Sequence, residues 1–166
     1  MMGACSTLMP HEYKITRAQL TKKLDIIFPL HRNIAQGLFD ATIDVPTIGF
    51  MTAQNRLSLS AHFSVHSIFR ADVQGDFLLS GSLRYDPDQR AVFLQDAHLD
   101  TLHIEHNDAQ VEMLRTALSA MLEEYLKGNA LYVFQPDELH HAGMEISITA
   151  IDIVDDGIKL SLAAKN

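Results

Sequence analysis

The 166-residue chain predicts an α+β fold in which a curved antiparallel β-sheet wraps around one long helix of the C-terminal half, with a short helix near the N-terminus. Three observations lead there. Between Asn107 and Gly128, the residues Val111, Leu114, Leu118, Met121, Leu122 and Tyr125 recur three or four positions apart, which places them on one side of a helix. From Leu38 to Ile104 the apolar period shortens to two, the repeat of half-buried strands. Within that stretch Gly75 and Gly81 share the parity of the apolar residues, and small residues on the inner face of a strand mark a bend, a bulge or close approach by another element.

Taken in order, residues 1–12 form a flexible N-terminal segment and 13–166 a single domain. Tyr13 to Pro29 reads as the first helix. Thr16 is a natural N-cap with Gln19 three residues on, Ile15 can staple onto Leu20, and Leu20, Leu24 and Ile27 continue the apolar face. Pro29 disfavours helical geometry at Phe28 and ends it. His31 to Gly37 reads as a connector. Thr42 to Asp44 and Thr47 to Met51 are strand pieces interrupted by Pro46, which implies an edge or a bend. Leu57, Leu59, Ala61, Phe63 and Val65 then alternate with Ser58, Ser60, His62, Ser64 and His66, giving one apolar and one polar face. Val73, Phe77, Leu79, Leu83 and Tyr85 continue the pattern.

Asp86-Pro87-Asp88 makes a turn into the return strand Ala91 to Leu94. Parity slips near Gln95 to Ala97, because Val92 and Leu94 are even and Ala97 and Leu99 odd, as a β-bulge produces. The long helix follows, with Asn107 or Asp108 as N-cap, Gln110 completing a capping box, and Gly128 as the left-handed closing residue. Ala130 to Phe134 reads as a short strand and Pro136 to His141 as a loop or single helical turn. Ile146, Ile148 and Ala150 form a strand, Asp155-Asp156-Gly157 a hairpin turn, and Ile158, Leu160 and Leu162 the last strand.

A net charge of -8, with no basic cluster longer than Lys22-Lys23, repels phosphate backbones and argues against nucleic acid as a partner. No apolar run reaches the length of a membrane-spanning helix. Nine histidines raise the question of a metal. His62 and His66 share a face but stand roughly 13 Å apart along a strand, and His103 and His106 point to opposite faces. His140-His141 beside Asp137 and Glu138 is the one cluster with ligand character, and a solvated polar loop explains it better. No nucleophile elbow or glycine-rich phosphate loop is present, so the expectation is no enzyme, no metal and no cofactor.

The single cysteine stands in Met2-Gly3-Ala4-Cys5-Ser6, which resembles the end of a bacterial lipoprotein signal, where the Cys carries the lipid. Two other readings stay open: Met2-Gly3 with Thr7 fits a myristoylation pattern, and an unmodified N-terminus leaves a free thiol.

A family resemblance is carried by Tyr13-Lys14-Ile15-Thr16 with Gln19-Leu20 and Leu24, Asn55-Arg56-Leu57, Gly81 to Asp86, Ala91-Val92-Phe93-Leu94 and Leu131-Tyr132-Val133-Phe134. Together these resemble the YceB-type bacterial lipoproteins, a domain of unknown function. The resemblance implies anchoring through a lipidated Cys5 on the periplasmic side, with Ser6 directing the protein to the outer membrane. It also implies a fold like half of the tubular lipid-binding superfamily. If Met1 is the natural start, the location is instead cytoplasmic.

The resulting expectation is a lipid-anchored, periplasm-facing module that holds a lipid or other apolar ligand between the long helix and the sheet. Phe63, Phe77, Leu79, Leu114, Leu118, Met121 and Leu122 would line the groove. The alternative is an envelope scaffold with a filled core, no ligand and a protein partner.

Overall fold

The computed structural model describes residues 11–34, 36–68, 70–105, 111–141 and 143–165. Among the described residues, eleven strands and two α-helices make an α+β arrangement dominated by antiparallel sheet. In chain order these are β1 (Glu12–Thr16), α1 (Arg17–Ile27), β2 (Leu30–Ile34), β3 (Phe39–Ile43), β4 (Thr47–Met51), β5 (Arg56–Ser67), β6 (Arg70–Asp86) and β7 (Ala91–Ile104). Then come α2 (Val111–Gly128), β8 (Tyr132–Val133), a 3-10 turn (Pro136–Leu139), β9 (His140–His141), β10 (Met144–Val154) and β11 (Gly157–Ala164).

The strands divide between two sheets where the sequence suggested one. A seven-stranded sheet has the order β2-β3-β5-β6-β7-β8 with β4 also on β5, and a four-stranded sheet has the order β1-β11-β10-β9. The second sheet takes in Glu12–Thr16, whose residues from Tyr13 on were expected in the first helix, as a strand that pairs with Gly157 to Ser161. The helix begins only at Arg17, with the capping box of Thr16 and Gln19 formed as expected. A second correction concerns His31 to Gly37: Leu30–Ile34 is a strand, opposite Phe39 to Ile43. Pro46 separates β3 from β4, and both pair with the same side of β5, β4 at Arg56 to Ser60 and β3 at Phe63 to Ser67. The break at Pro46 therefore lets two short strands share one long neighbour.

Leu57, Leu59, Ala61, Phe63 and Val65 of β5 are all buried, so the alternation places its apolar face inward. Gly75 and Gly81 answer to close approach. A Cβ on Gly75 would lie 2.1 Å from the His103 carbonyl and 2.9 Å from the Phe63 ring, and one on Gly81 would lie 2.7 Å from Leu94. The bulge in β7 is also present. Ser80 pairs with His98 and Ser82 with Gln95, and Asp96 takes a left-handed φ of 49°. Arg56 holds this irregularity, donating from Nη2 to the carbonyls of Ser80 (2.8 Å) and Asp96 (3.1 Å) and from Nε to the Ser80 hydroxyl (3.2 Å). A second shift near Leu79 leaves Asp100 unmatched, so β7 carries two interruptions along a margin that β8 covers only at Ala91 and Val92. Such breaks blunt an edge against unwanted strand pairing.

Asn55 ties the sheets together. It sits at a left-handed φ of 52° beside β5, and its Oδ1 accepts from the Ile153 backbone N–H of β10 at 2.7 Å. The side chain thus satisfies a β10 amide as a neighbouring strand would. The quoted Asn55-Arg56-Leu57 motif accordingly has an architectural reason at each position.

Asp86 organises the β6–β7 turn, its Oδ1 accepting from the N–H groups of Asp88 (3.0 Å) and Gln89 (3.1 Å). The hydrogen bond from the Gln89 backbone, with that from Asp88, holds its carboxyl below the ordinary carboxylate range. A group lowered by folding contributes stability above its unfolded pKa of about 3.9, and that contribution disappears as pH falls through the folded value. Acid unfolding of Asp86→Asn is expected to lack this component below about pH 4, measured against wild type by circular dichroism. Coincident wild-type and variant profiles would contradict it.

Candidate functional site

The site that sequence reasoning outlined lies where α2 covers β6 and β7. Among the residues that line the space between them, Ser119, Leu122 and Glu123 face Leu79, Ala97, His98 and Leu99. Further along, Glu123, Leu126 and Lys127 flank a cleft of about 340 Å³ with Arg84 and Phe93 to Ala97. The helix therefore runs back along β7, its C-terminal end beside the start of that strand. Gly128 does not take the left-handed conformation expected of it and remains helical. The Tyr125 carbonyl is capped instead by the Asn129 side chain, which donates from Nδ2 at 2.8 Å. Asn107, Asp108 and Gln110, the expected start of this helix, lie outside the described residues, as does Cys5.

The seven outlined residues share one core. Phe63, Phe77, Leu79, Leu118 and Leu122 are buried within it, and Leu114 and Met121 are half-buried against it. Cross-strand pairing explains why the sheet residues meet. Ala61 stands opposite Phe77 and Phe63 opposite Gly75, so the Phe63 and Phe77 rings come together with centroids 6.3 Å apart. At the middle of α2 the seam is closed, with about 10 Å³ of space beside Leu79, Leu99 and Leu122, close to the minimum for one water.

Burial is not uniform along the seam. On β7, Val92 and Leu94 are buried, whereas Ala97, Leu99, Leu102 and Ile104 are only half-buried. On α2 the trend runs the other way in sequence and the same way in space. Along its central stripe Leu126, Leu122 and Leu118 are buried and Leu114 is half-buried, Met113 is 54% exposed, and the flanking Ala117, Met121 and Tyr125 are half-buried. Val73, near the start of β6, is half-buried as well. The apolar contact therefore loosens toward the end where β7 stops and α2 begins.

Two features elsewhere escaped sequence reasoning. One is a groove of about 650 Å³ between β10 and the β6–β7 hairpin, with Leu83, Leu139, Ile146, Ile148 and Ile151 among its apolar walls and Tyr85, Arg90 and His140 among its polar ones. It arises from the second sheet, which the pattern of single strands did not disclose. The other is a polar knot. Glu138 Oε1 accepts from the hydroxyls of Tyr132 (2.8 Å) and Tyr13 (3.2 Å), while its Oε2 accepts from the Gln135 N–H (2.6 Å). Burial, reinforced by the bonds to Tyr13 and Glu138, pushes the Tyr132 phenol far above its ordinary value. It stays protonated and donates, pinning the 3-10 turn to β1 and β8.

Several of the described histidines are engaged locally. His62 pairs with Asp76 (3.1 Å), His66 with Asp72 (2.5 Å) and His98 with Asp100 (2.8 Å). His140 Nδ1 lies 2.5 Å from the Pro136 carbonyl. Among the described residues no three His, Cys, Asp or Glu side chains gather as a metal site, and no helix is long and apolar enough to cross a membrane.

A family model described as "Protein of unknown function (DUF1439)" matches residues 15–156. No curated protein matches the chain. A solved structure described as "Crystal structure of lipopolysaccharide binding protein" aligns at 11% sequence identity and a TM-score of 0.39. That alignment covers 93% of this chain and 40% of the other, so this chain spans well under half of that protein's length. A likeness at that level assigns no ligand here.

Proposed function

Because the chain belongs to the DUF1439 family of proteins of unknown function, its role has to be inferred from its own geometry, and we propose a non-catalytic module that binds a lipid or other apolar ligand between α2 and the seven-stranded sheet. The observation that carries the reading is the graded burial of the seam. Leu99, Leu102, Ile104 and Val73 on the sheet and Leu114, Ala117 and Met121 on the helix form a strip of half-buried apolar residues continuous with the sealed core. A fully satisfied interior would bury such a strip, and a chain of methylenes laid along it gains about 0.8 kcal/mol for each group removed from water. Phe63, Phe77, Leu79, Leu118 and Leu122 form its floor.

A sheet that wraps the helix fits this reading. α2 lies along β7 near one margin of the sheet, and its Tyr125 meets the other margin. The Tyr125 ring packs 6.3 Å from that of Phe28, and the Arg32 guanidinium of β2 lies 5.5 Å over it. Contacts of one helix with both margins support a sheet that curls. Anchoring through a lipidated Cys5 on the periplasmic side of the outer membrane belongs to the same proposal, supported by Met2 to Ser6 and by the family resemblance.

Native mass spectrometry of protein purified from a bacterial envelope tests the ligand. The expected result is a co-purifying lipid whose retention falls in Met121→Glu, a half-buried position. Ligand-free protein throughout would remove the reading. A second reading, an envelope scaffold with a filled core, is favoured by the closed centre of the seam and by the groove of about 650 Å³ open to a partner segment. A stoichiometric envelope protein and no lipid would select it.

A further inference from the structure

We propose that the groove between β10 and the β6–β7 hairpin takes up an extended peptide segment as an added strand on β10 and holds a carboxylate of that segment at Arg90. The proposal deepens the scaffold reading by naming what the groove accepts, and it does not depend on whether the seam under α2 holds lipid.

Every residue of β10 from Glu145 to Ile151 lines the groove. Successive strand residues point to opposite faces, so a wall that takes in both parities meets the strand along its edge. That edge is open. β11 covers the other side of β10 from Ile146 to Val154, whereas β9 pairs on this side only with Met144 and Glu145. The Lys165 N–H donates to the Glu145 carbonyl at 2.9 Å, which turns the backbone of Glu145 and Ser147 toward β11 and that of Ile146 and Ile148 away from it. Beyond the register shift between Ile148 and Ala150, the outward groups are already met. Asn55 accepts from the Ile153 N–H at 2.7 Å and donates to the Ile151 carbonyl at 3.5 Å. β9 and Asn55 thus close the two ends of the edge. Between them, the backbone groups of Ile146 and Ile148 have no partner on the groove side among the described residues.

The occupant follows from these groups. A hydrocarbon chain laid in the groove would cover the Ile146 and Ile148 backbone and leave it unpaired, whereas an extended peptide supplies its own N–H and C=O groups. Alternate side chains of the segment then meet the apolar walls at Leu83, Leu139 and Ile148. Two donors at the hairpin end set its charge. The Arg90 guanidinium has no carboxylate partner among the described residues, while Glu145 on the facing wall is paired with Lys165 at 3.2 Å. The Tyr85 hydroxyl likewise has no acceptor among the described residues, and burial pushes its pKa up, so it stays a donor. Asp88, also at this end, repels further negative charge, so the complement is one carboxylate and not an acidic run.

A phage-displayed library of random nonapeptides panned on the immobilised full chain supplies the probe. The expected result is enrichment of sequences with apolar residues at alternate positions and one Asp or Glu. The best of them, made as a synthetic peptide, is expected to slow hydrogen exchange at the Ile146 and Ile148 amides. Arg90→Asn keeps a residue that tolerates the left-handed φ of 51° at this position, and is expected to weaken that peptide at least about tenfold. Ile148→Pro removes one edge N–H and is expected to weaken it by a similar factor. If Ile148→Pro does not fold, N-methylation of the peptide gives the same reading on the unaltered protein: blocking alternate amides abolishes binding and blocking the others does not. No enrichment overturns the proposal, as does binding that both variants retain or an N-methylation profile without alternation. Equal displacement of the peptide by dodecanoate also overturns it, and assigns the groove to an amphipathic carboxylate. An envelope protein captured in stoichiometric amount by wild type and Ile148→Pro alike leaves the scaffold reading standing and removes this one, while native mass spectrometry reads lipid at the seam separately.

Discussion

Phe63→Ala is expected to destabilise the protein by about 3–5 kcal/mol, the range for truncating a buried aromatic. Phe63 is fully buried, and its ring fills the space above Gly75 and beside Phe77. Neither neighbour can close the gap. Gly75 has no side chain to offer, and Phe77 is held by its pairing with Ala61 and Leu102. A loss of that size is a large fraction of the roughly 5–15 kcal/mol that a domain of this kind possesses. Urea unfolding followed by far-ultraviolet circular dichroism measures it. A loss below about 1 kcal/mol would mean that the ring is not part of a close-packed interior.

Gly75→Ala attacks the same contact from the other strand. The added Cβ would lie 2.1 Å from the His103 carbonyl and 2.9 Å from Phe63 Cζ. Overpacking of this kind costs about 1–3 kcal/mol, and more where backbone must move. The two clashes are separable. Phe63→Leu relieves the one with the ring, but the carbonyl belongs to the β7 backbone and cannot retreat without parting β6 from β7. The double variant Phe63→Leu with Gly75→Ala is therefore expected to recover only part of the Gly75→Ala loss, read from a thermodynamic cycle of urea midpoints. Full recovery would assign the whole constraint to the ring. A Gly75→Ala protein as stable as wild type would show that the strands are not this close.

Both effects fall on residues that the alternating pattern had placed inward, and local chemistry made several other features legible. Thr16 and Gln19 form the capping box they announce, because its partners are three residues apart and need no distant help. The change of parity between Leu94 and Ala97 locates a bulge with Asp96 in the left-handed region, since an extra residue in one strand must shift every later side chain to the other face. Asp86 organises its turn for the same local reason. The family match over residues 15–156 agrees with the resemblance carried by those segments.

Other features were settled only in three dimensions. Tyr13 to Thr16, read with the helix that follows, belong to a strand, Glu12–Thr16, because Gly157 to Ser161 comes back beside it from the far end of the chain. That return sets β1 at the edge of the second sheet beside β11, and the groove at Tyr85, Arg90 and His140 forms where β10 of the same sheet meets the β6–β7 hairpin. Asn129, not Gly128, caps the end of α2, a choice between adjacent polar and flexible residues that spacing does not decide.

The same limit applies to the candidate site. Periodicity assigned Leu114, Leu118, Met121 and Leu122 to the face of a helix, because a helix repeats every 3.6 residues whatever it packs against. It did not distinguish Leu118, sealed at 0% exposure, from Leu114 and Met121, left half-covered. The sequence by itself determined which side of each element is apolar. How closely two such sides approach depends on the bulges of β7, the missing side chains at Gly75 and Gly81 and the lie of the helix over them, and only the tertiary structure fixes those distances.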